Sequence, residues 1–414
     1  MRGRAVVGWF AILLALVGCT QGADVRQAPT GVPTAAGDAL VLDAGGALAR
    51  VDAATGSVLF DVPSAVPSPD WSNLFATSSD GGQTTLRRLD PLTGETIDRT
   101  VLSGDLSIWA VSESGDQVAL MEPLTGASLA WAPPPRRATD LMVVDVRTGD
   151  HETFDLKGNY VPEAFSPDGE NLFMLSFNPP TAPTSYRVTA LYLERDRVWD
   201  VFGPNKAPVE NMTATRLQQV RSPDGSALYT LYVNQPPDYL LENGAVTEEP
   251  DEVAFVHSLN LNGLAHCIEL PADFGSVPPE RAAIAVSSSG RTVYAIDSLH
   301  GDVTSIRPNR DRVENSVLDL SMLNGGTTAA AVSADGLTLF VGSGSTVVAI
   351  DTSTIVVRAT WTVQGGLTDL GLSPDGGRLY ASSASGVTVL DAASGVDLGR
   401  ISVGGDAIAW IGAA

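Results

Sequence analysis

Cysteine, aromatic side chains and positive charge are all scarce in this sequence. Its 414 residues include 2 cysteines, Cys19 and Cys267, and 6% of the residues are aromatic. Two cysteines exclude a disulfide-rich scaffold. The 25 basic residues face 48 acidic ones, for a net charge of −23. Because nucleic-acid binders carry a basic surface, we expect no nucleic acid as a partner.

The common catalytic and metal-binding motifs are also missing. The sequence has no Gly-x-Ser-x-Gly elbow, Walker A loop, His-Glu-x-x-His helix, Cys-x-x-Cys pair or EF-hand loop. The Asp of each Ser-Pro-Asp-Gly segment recurs wherever the segment does, so turn formation explains it. We therefore predict no catalytic residue, no metal and no cofactor, and a role without catalysis is favoured.

Two of the 4 histidines lie in a predicted hairpin. Asn262-Gly263 is a strong signal for a two-residue turn, and that register pairs Leu259 with His266. His257 and His266 would then share one face of the sheet, about 7–8 Å apart. No third ligand accompanies them in the sequence, so two ordinary histidines are the preferred interpretation and no metal site is predicted.

A short β-rich unit recurs along the chain. Its clearest copy spans residues 372–405, LSPDGGRLYASSASGVTVLDAASGVDLGRISVGG, and alternates turns with strands. Each copy carries a serine that opens a tight turn: Ser68, Ser112, Ser166, Ser222, Ser287, Ser333 and Ser373. Successive serines lie 40 to 65 residues apart. Periods of about 40–50 residues with four strands each are typical of a β-propeller.

The two ends of the chain complete one further unit. Residues 39–62 hold three strands and lack a first strand, and residues 406–412 hold a single strand. Pairing the ends closes the ring and removes the open edges of a linear array. We predict an all-β fold, one propeller of eight four-stranded antiparallel blades, with seven blades as the alternative. Unit 1 denotes the one shared by the termini, and units 2 to 8 are those of the seven turn serines in order.

The copy at 372–405 resembles the YVTN-type or lactonase-like propeller repeat. The resemblance covers nearly all of the chain after its N-terminal segment and is sharp in the last two units. It implies a propeller fold, and it implies a lactonase-like hydrolase with a site at the channel mouth as one alternative function. The acid, arginine and histidine positions of such enzymes have no residue-by-residue match here.

The N-terminal segment is typical of an export signal. Arg2 and Arg4 precede an apolar run over residues 5–18, which is too short to span a bilayer comfortably. The segment Leu16-Val17-Gly18-Cys19 resembles a bacterial lipobox. The resemblance implies cleavage before Cys19 and attachment of lipid to it, and an ordinary signal peptide or an uncleaved anchor is the alternative.

These features divide the chain into three parts. We predict a lipoprotein signal peptide over residues 1–18, a flexible tether over 19–37 and the propeller over 38–414. The mature chain would have 23 basic and 48 acidic residues, a net charge of about −25. Such acidity keeps a domain away from anionic lipid, so the lipid on Cys19 would hold it to the bacterial membrane or envelope, outside the cytoplasm.

Long loops gather at one face of the predicted propeller. Successive strands of a blade are antiparallel, so the second-to-third loops share a face with the links between blades. In units 3, 4 and 5 these loops span residues 122–139, 178–185 and 234–252, whereas other units use short Gly/Ser-rich turns. Because loops on a rigid scaffold commonly carry binding residues, we expect this face to bind a partner.

Contact residues would come from these loops and from the first strands that begin beside them. The loop candidates include the residue types that dominate interface energetics: Trp131, Arg136, Arg137, Tyr186, Asp238 and Tyr239. Charged residues at the start of the first strands could ring the mouth of the central channel: Glu163, Arg216, Arg281, Asp369 and Asp406.

The sequence therefore favours a binding or interaction module. The expected partner is an envelope protein or an extracellular ligand, bound through the face of units 3 to 5. The sequence shows no pattern that indicates oligomerisation, so a monomer is expected. The lactonase-like hydrolase is one alternative, and a structural envelope component without a ligand is the other.

Overall fold

The computed structural model describes residues 38–126, 132–201, 212–235, 253–271, 274, 277–310, 312–323 and 325–413. Cys19, the tether and the loop candidates Trp131, Asp238 and Tyr239 lie outside these ranges. Within them the regular structure is β-strand, apart from short 3-10 turns such as Leu193–Arg195. No helix in the described ranges has the length and hydrophobicity that a membrane crossing requires.

The strands, numbered along the chain, follow the predicted units. Unit 1 contains β1 (Asp38–Ala44), β2 (Ala47–Asp52), β3 (Val58–Pro63) and β30 (Ala407–Ala413). Unit 2 contains β4 (Val66–Pro67), β5 (Leu74–Asp80), β6 (Gln83–Leu89) and β7 (Thr96–Ser103). Unit 3 contains β8 (Ser107–Val111), β9 (Gln117–Met121), β10 (Ala138–Asp145) and β11 (His151–Lys157).

Unit 4 contains β12 (Asn159–Phe165), β13 (Asn171–Asn178), β14 (Ser185–Tyr192) and β15 (Arg197–Asp200). Unit 5 contains β16 (Thr215–Arg221), β17 (Ala227–Gln235), β18 (Val253–Asn260) and β19 (Leu264–Glu269). Unit 6 contains β20 (Ala282–Val286), β21 (Val293–Asp297), β22 (Asp302–Arg307) and β23 (Arg312–Val317). Units 7 and 8 share β24 (Thr328–Val332), β25 (Thr338–Asp351), β26 (Val356–Leu372), β27 (Arg378–Ser383), β28 (Gly386–Asp391) and β29 (Asp397–Ile401).

The recurring serine and aspartate build the turn between the first two strands of a unit. In unit 8, Ser373 Oγ donates to Asp375 Oδ1 at 2.6 Å and accepts the Arg378 N–H at 2.9 Å. Gly376 completes this turn with a φ of 71°, a value that favours glycine. The aspartate thus satisfies turn groups locally, as its recurrence in the sequence predicts.

The chain ends pair as predicted. Strand β30 runs antiparallel to β1, with Leu40 opposite Ile411 and Val41 opposite Trp410. The C-terminal strand thereby becomes the innermost strand of the first unit, in the sheet order β3-β2-β1-β30. This pairing supplies hydrogen-bond partners to both terminal strands and closes the propeller ring.

The described strands form seven hydrogen-bonded sheets, of which six have four strands and one has six. This number agrees with the alternative of seven and is one fewer than the eight predicted from the repeats. The cause is continuity of the backbone: β26 runs without a break from the last strand of unit 7 into the first strand of unit 8. Gly344 of β25 also pairs with Leu367 of β26, which joins the two units into one sheet.

Packing nevertheless follows the sequence repeats. The described core contains eight clusters of buried residues, and each combines side chains from neighbouring units. Val387 of unit 8 packs with Leu40 of unit 1 in the cluster that closes the ring. Burial of apolar side chains between neighbouring units, at about 25 cal/mol per Å², is the main force that holds the ring together.

Candidate functional site

A cavity of about 420 Å³ lies where units 3, 4 and 5 meet. Its wall combines first strands with the second-to-third loop of unit 3, on the face predicted from the long loops. The lining residues are Trp109, Leu124, Gly126, Ala132, Pro133, Pro134, Val161, Glu163, Leu175, Phe177, Tyr186, Arg216 and Tyr232. The volume lies within the range of about 300–1,000 Å³ that is usual for small-molecule sites.

β-Bulges place two of the lining side chains. The pairing of β8 with β9 shifts between Ile108 and Ala110, which leaves Trp109 as the extra residue. The pairing of β12 with β13 shifts in the same way around Glu163. Because a bulge redirects the side chain of its extra residue, the innermost strands of units 3 and 4 can present Trp109 and Glu163 to the cavity.

The polar part of the cavity is an ion pair between adjacent units. Arg216 Nη1 donates to Glu163 Oε1 at 2.6 Å, and Gln219 Nε2 donates to Glu163 Oε2 at 3.2 Å. Burial is the largest single effect on the pKa of Arg216 and lowers it, but the charge and hydrogen bond of Glu163 together with the nearby Tyr232 and Tyr186 outweigh burial and raise that pKa above its usual value. The guanidinium therefore remains charged at every physiological pH.

Aromatic side chains form the floor of the cavity. The Tyr186 ring lies 5.4 Å from that of Phe177 and 6.1 Å from that of Tyr232, measured between centroids. The Tyr186 hydroxyl donates to the Ala214 carbonyl at 2.7 Å, and burial raises the pKa of both tyrosines. Tyr186 is only 1% exposed, because it packs into the core between units 4 and 5, and it lines the cavity from there rather than projecting from a loop.

Arg136 stabilises the loop of unit 3. Its Nε donates to Asn159 Oδ1 at 2.9 Å, and its Nη2 donates to the Tyr160 carbonyl. Burial lowers the pKa of Arg136 to about 10, against a smaller opposing effect of Asp140. Arg137 is exposed. Of the two arginines, Arg137 is therefore the one that the surface offers to a partner, whereas Arg136 holds the loop against unit 4.

The other charged residues predicted at the channel mouth each bond to a different part of the backbone. Arg281 Nη2 donates to the Ser298 carbonyl at 3.0 Å, and Asp406 Oδ2 accepts the Gly45 N–H at 3.2 Å. Asp369 Oδ2 accepts the Ile408 N–H at 2.8 Å, and burial raises the pKa of Asp369. Among the five predicted residues, the described contacts bring together only Glu163 and Arg216.

The histidine hairpin has a different register from the predicted one. His257 lies opposite Cys267, and His266 lies opposite Ser258. The turn holds one residue more than predicted, and a one-residue shift turns a side chain to the other face of a sheet. His257 and His266 therefore point to opposite faces. In the described ranges no three His, Cys, Asp or Glu residues come together as a metal-binding group.

The main residue that the sequence analysis missed is Trp109. It lies three residues before the turn serine Ser112, the position that Glu163 holds before Ser166. Aligning the units on their turn serines would have revealed both as unusual among the first-strand residues. The prolines of the unit 3 loop, Pro133 and Pro134, lie within the predicted loop and also line the cavity.

Comparisons with known proteins support the fold. Apo AztD from Citrobacter koseri is 13% identical, with a TM-score of 0.53 over 91% of this chain and 97% of that one. Dihydro-heme d1 dehydrogenase NirN in complex with DHE is 15% identical, with a TM-score of 0.52 over 91% of this chain and 76% of that one. No protein-family model and no curated protein matches the sequence. Similarity at these identities shows the β-propeller fold alone.

Proposed function

We propose that this protein is an extracytoplasmic, lipid-anchored β-propeller that acts as a binding module through the face of units 3 to 5. The observation that carries the proposal is the cavity of about 420 Å³ on that face. It combines an ion pair with aromatic and apolar walls, the mixture that usually gives small-molecule sites their affinity and orientation. The ligand is an envelope or extracellular molecule, or a segment of an envelope protein.

The proposed location rests on the N-terminal segment. The basic start, the short apolar run and Cys19 support export and lipid attachment. A lipid anchor would keep the acidic mature chain at the membrane despite its net charge of about −25. Replacing Cys19 with Ser would then release the protein from the membrane fraction, and retention of the variant in membranes would contradict the anchor.

The hydrolase alternative has weaker support from the cavity. Both oxygens of Glu163 already accept hydrogen bonds, from Arg216 and Gln219. A carboxylate held in this way is a poor general base, because it would have to give up these bonds to accept a proton. Turnover of a lactone by the purified full-length protein would revive this alternative.

The binding function can be tested by filling the cavity. Val161 lines the cavity, so Val161→Phe should occupy part of its volume, whereas Val317→Phe adds the same atoms at a 70% exposed position. Full-length wild-type and variant proteins would be incubated with envelope extract and examined by native mass spectrometry. We expect a bound species on the wild type and on Val317→Phe, and its loss from Val161→Phe.

Two results would contradict the proposal. Equal retention by all three proteins would show that the bound species does not use the cavity. Absence of a bound species from all three would favour the structural envelope component. Thermal melting of Val161→Phe against Val317→Phe separates loss of the site from loss of the fold.

A further inference from the structure

We propose that the cavity between units 3, 4 and 5 binds a small organic anion, with an acidic head at Arg216 and a flat apolar body against Trp109 and the loop prolines. The inference rests on the proposed function, because it assumes that this cavity is the binding site. It names the chemical class of the ligand, which the fold does not determine.

The first argument concerns which charge of the ion pair the ligand meets. The Arg216 side chain is 39% exposed, whereas that of Glu163 is 7% exposed. The carboxylate is thus covered, with one oxygen bonded to Arg216 and the other to Gln219. Although both residues line the cavity, a ligand there therefore meets more of the Arg216 side chain than of Glu163.

The second argument concerns the hydrogen-bond donors that remain. The guanidinium of Arg216 has five N–H donors, and Glu163 is its one hydrogen-bond partner among the described residues. Because the partly exposed guanidinium keeps N–H donors beyond the one that Glu163 accepts, a ligand that supplies acceptor oxygens can form charge-assisted hydrogen bonds to Arg216.

The third argument concerns the apolar wall. Leu124, Pro133 and Pro134 from the loop of unit 3 face the cavity together with Val161 and Leu175 from unit 4. Asn159 Nδ2 donates to the Pro134 carbonyl at 3.1 Å, which fixes the loop against unit 4. A wall that is already ordered loses little entropy on binding, and it favours a rigid apolar body over a polar one.

The net charge of the whole protein opposes the binding of an anion. A net charge of −23 attracts cations and repels anions at long range. These long-range effects are screened over about 8 Å at physiological ionic strength, whereas contacts inside the cavity are not. Preference for an anion would therefore have to come from local donors, chiefly Arg216.

The test compares three ligands that share one ring and differ in charge. Isothermal titration calorimetry of the full-length protein would use indole-3-acetate, indole and tryptamine. We expect indole-3-acetate to bind about tenfold more tightly than indole, equivalent to about 1.4 kcal/mol, and tryptamine to bind most weakly. Tightest binding of tryptamine, or no binding of indole-3-acetate, would overturn the inference.

Two variants should move this preference in opposite directions. Arg216→Gln removes the guanidinium and should abolish the preference for indole-3-acetate over indole. Glu163→Gln replaces the negative carboxylate with a neutral amide of the same shape, and should raise that preference about tenfold. Arg187→Gln is the matched control, because Arg187 pairs with Asp200 at 3.2 Å and does not line the cavity.

If both variants fold and Arg216→Gln still prefers indole-3-acetate to indole as the wild type does, the assignment of the acidic head to Arg216 is overturned. The opposite shift expected from Glu163→Gln guards against a general loss of structure. Failure of this inference is distinguishable from failure of the proposed function. The envelope species could bind the wild type and not Val161→Phe, while the indole series shows no preference for the anion. That result would support the binding module and contradict the proposed ligand class.

Discussion

Units 3 to 5 differ from units 6 to 8 at one repeated position, three residues before the turn serine. The first group has Trp109, Glu163 and Gln219 there, and the second has Ile284, Ala330 and Leu370. Trp109 and Glu163 line the cavity and Gln219 bonds to Glu163, whereas the residues of the second group belong to the apolar packing between units. The same place in the repeat therefore supplies packing in units 6 to 8, and in units 3 to 5 it lines or supports the cavity, where Trp109 also packs between units.

The Ser-Pro-Asp-Gly turn, by contrast, occurs with the same contacts in both groups of units. Ser222 Oγ donates to Asp224 Oδ1 at 2.6 Å in unit 5, and Ser373 Oγ donates to Asp375 Oδ1 at 2.6 Å in unit 8. The repeat thus keeps the groups that form the fold and varies the strand positions that face inward. This separation lets a propeller change its site without changing its scaffold.

The largest expected effect contrasts two phenylalanines on the second strands of their units. Phe340 of unit 7 is 2% exposed and Phe177 of unit 4 is 3% exposed, and each lies near one other aromatic ring. Phe340→Ala should lower the free energy of unfolding by about 3–5 kcal/mol. Phe177→Ala should lower it by about 2–3 kcal/mol, because a ring that lines a cavity already lacks contacts on one side. Chemical denaturation measures both values, and equal losses would contradict a real cavity beside Phe177.

A smaller effect is expected from two arginines that pair with buried carboxylates, Arg216 with Glu163 and Arg358 with Asp351. Arg216→Met leaves the Glu163 carboxylate covered and without its cation, and should cost about 1–3 kcal/mol. Arg358→Met in unit 7 should cost less than about 1 kcal/mol, because Asp351 keeps the N–H groups of Ser353 and Thr354 as donors. Urea unfolding compares the two variants.

The double variant Arg216→Met with Glu163→Met sharpens this comparison. Removing both charges together should recover most of the stability that Arg216→Met loses, since no unpaired carboxylate remains. No recovery would show that packing of the arginine stem, rather than the charge of Glu163, causes the loss.

The sequence predicts the parts of this molecule that depend on local chemistry. The serine turns follow from the residues within each turn, and the closure by β1 and β30 follows from the missing first strand of unit 1. Two charged residues of the candidate site, Glu163 and Arg216, are among those predicted on first strands; Arg216 lies near the start of β16, whereas Glu163 is the fifth of the seven residues of β12. Each of these predictions needs only the repeat and the alternation of strands.

Features that depend on contacts between units are harder to predict. The burial of Tyr186 arises because the ring packs against Tyr232 of the next unit, and nothing local to Tyr186 encodes that neighbour. The number of sheets depends on whether the backbone breaks between units, and β26 does not break. The register of the hairpin after His257 turns on a single residue in its loop, which propensity alone does not resolve.

The smallest expected difference between units 3 to 5 and units 6 to 8 concerns the turn serines, whose loss should cost the same stability in both groups. Ser222→Ala and Ser373→Ala each remove one hydrogen-bond donor and one acceptor from equivalent turns of units 5 and 8. Each should therefore lower the free energy of unfolding by about 1 kcal/mol. The serine hydroxyl lowers the pKa of Asp224 and of Asp375 below its usual value. A depressed carboxyl pKa stabilises the fold above the unfolded value of about 3.9 and loses that effect as pH falls through the folded value. The difference between wild type and either variant should therefore be largest near neutral pH and shrink below about pH 4, as measured by thermal melting. Unequal losses would mean that the two groups differ in their turns as well as in their inward-facing residues.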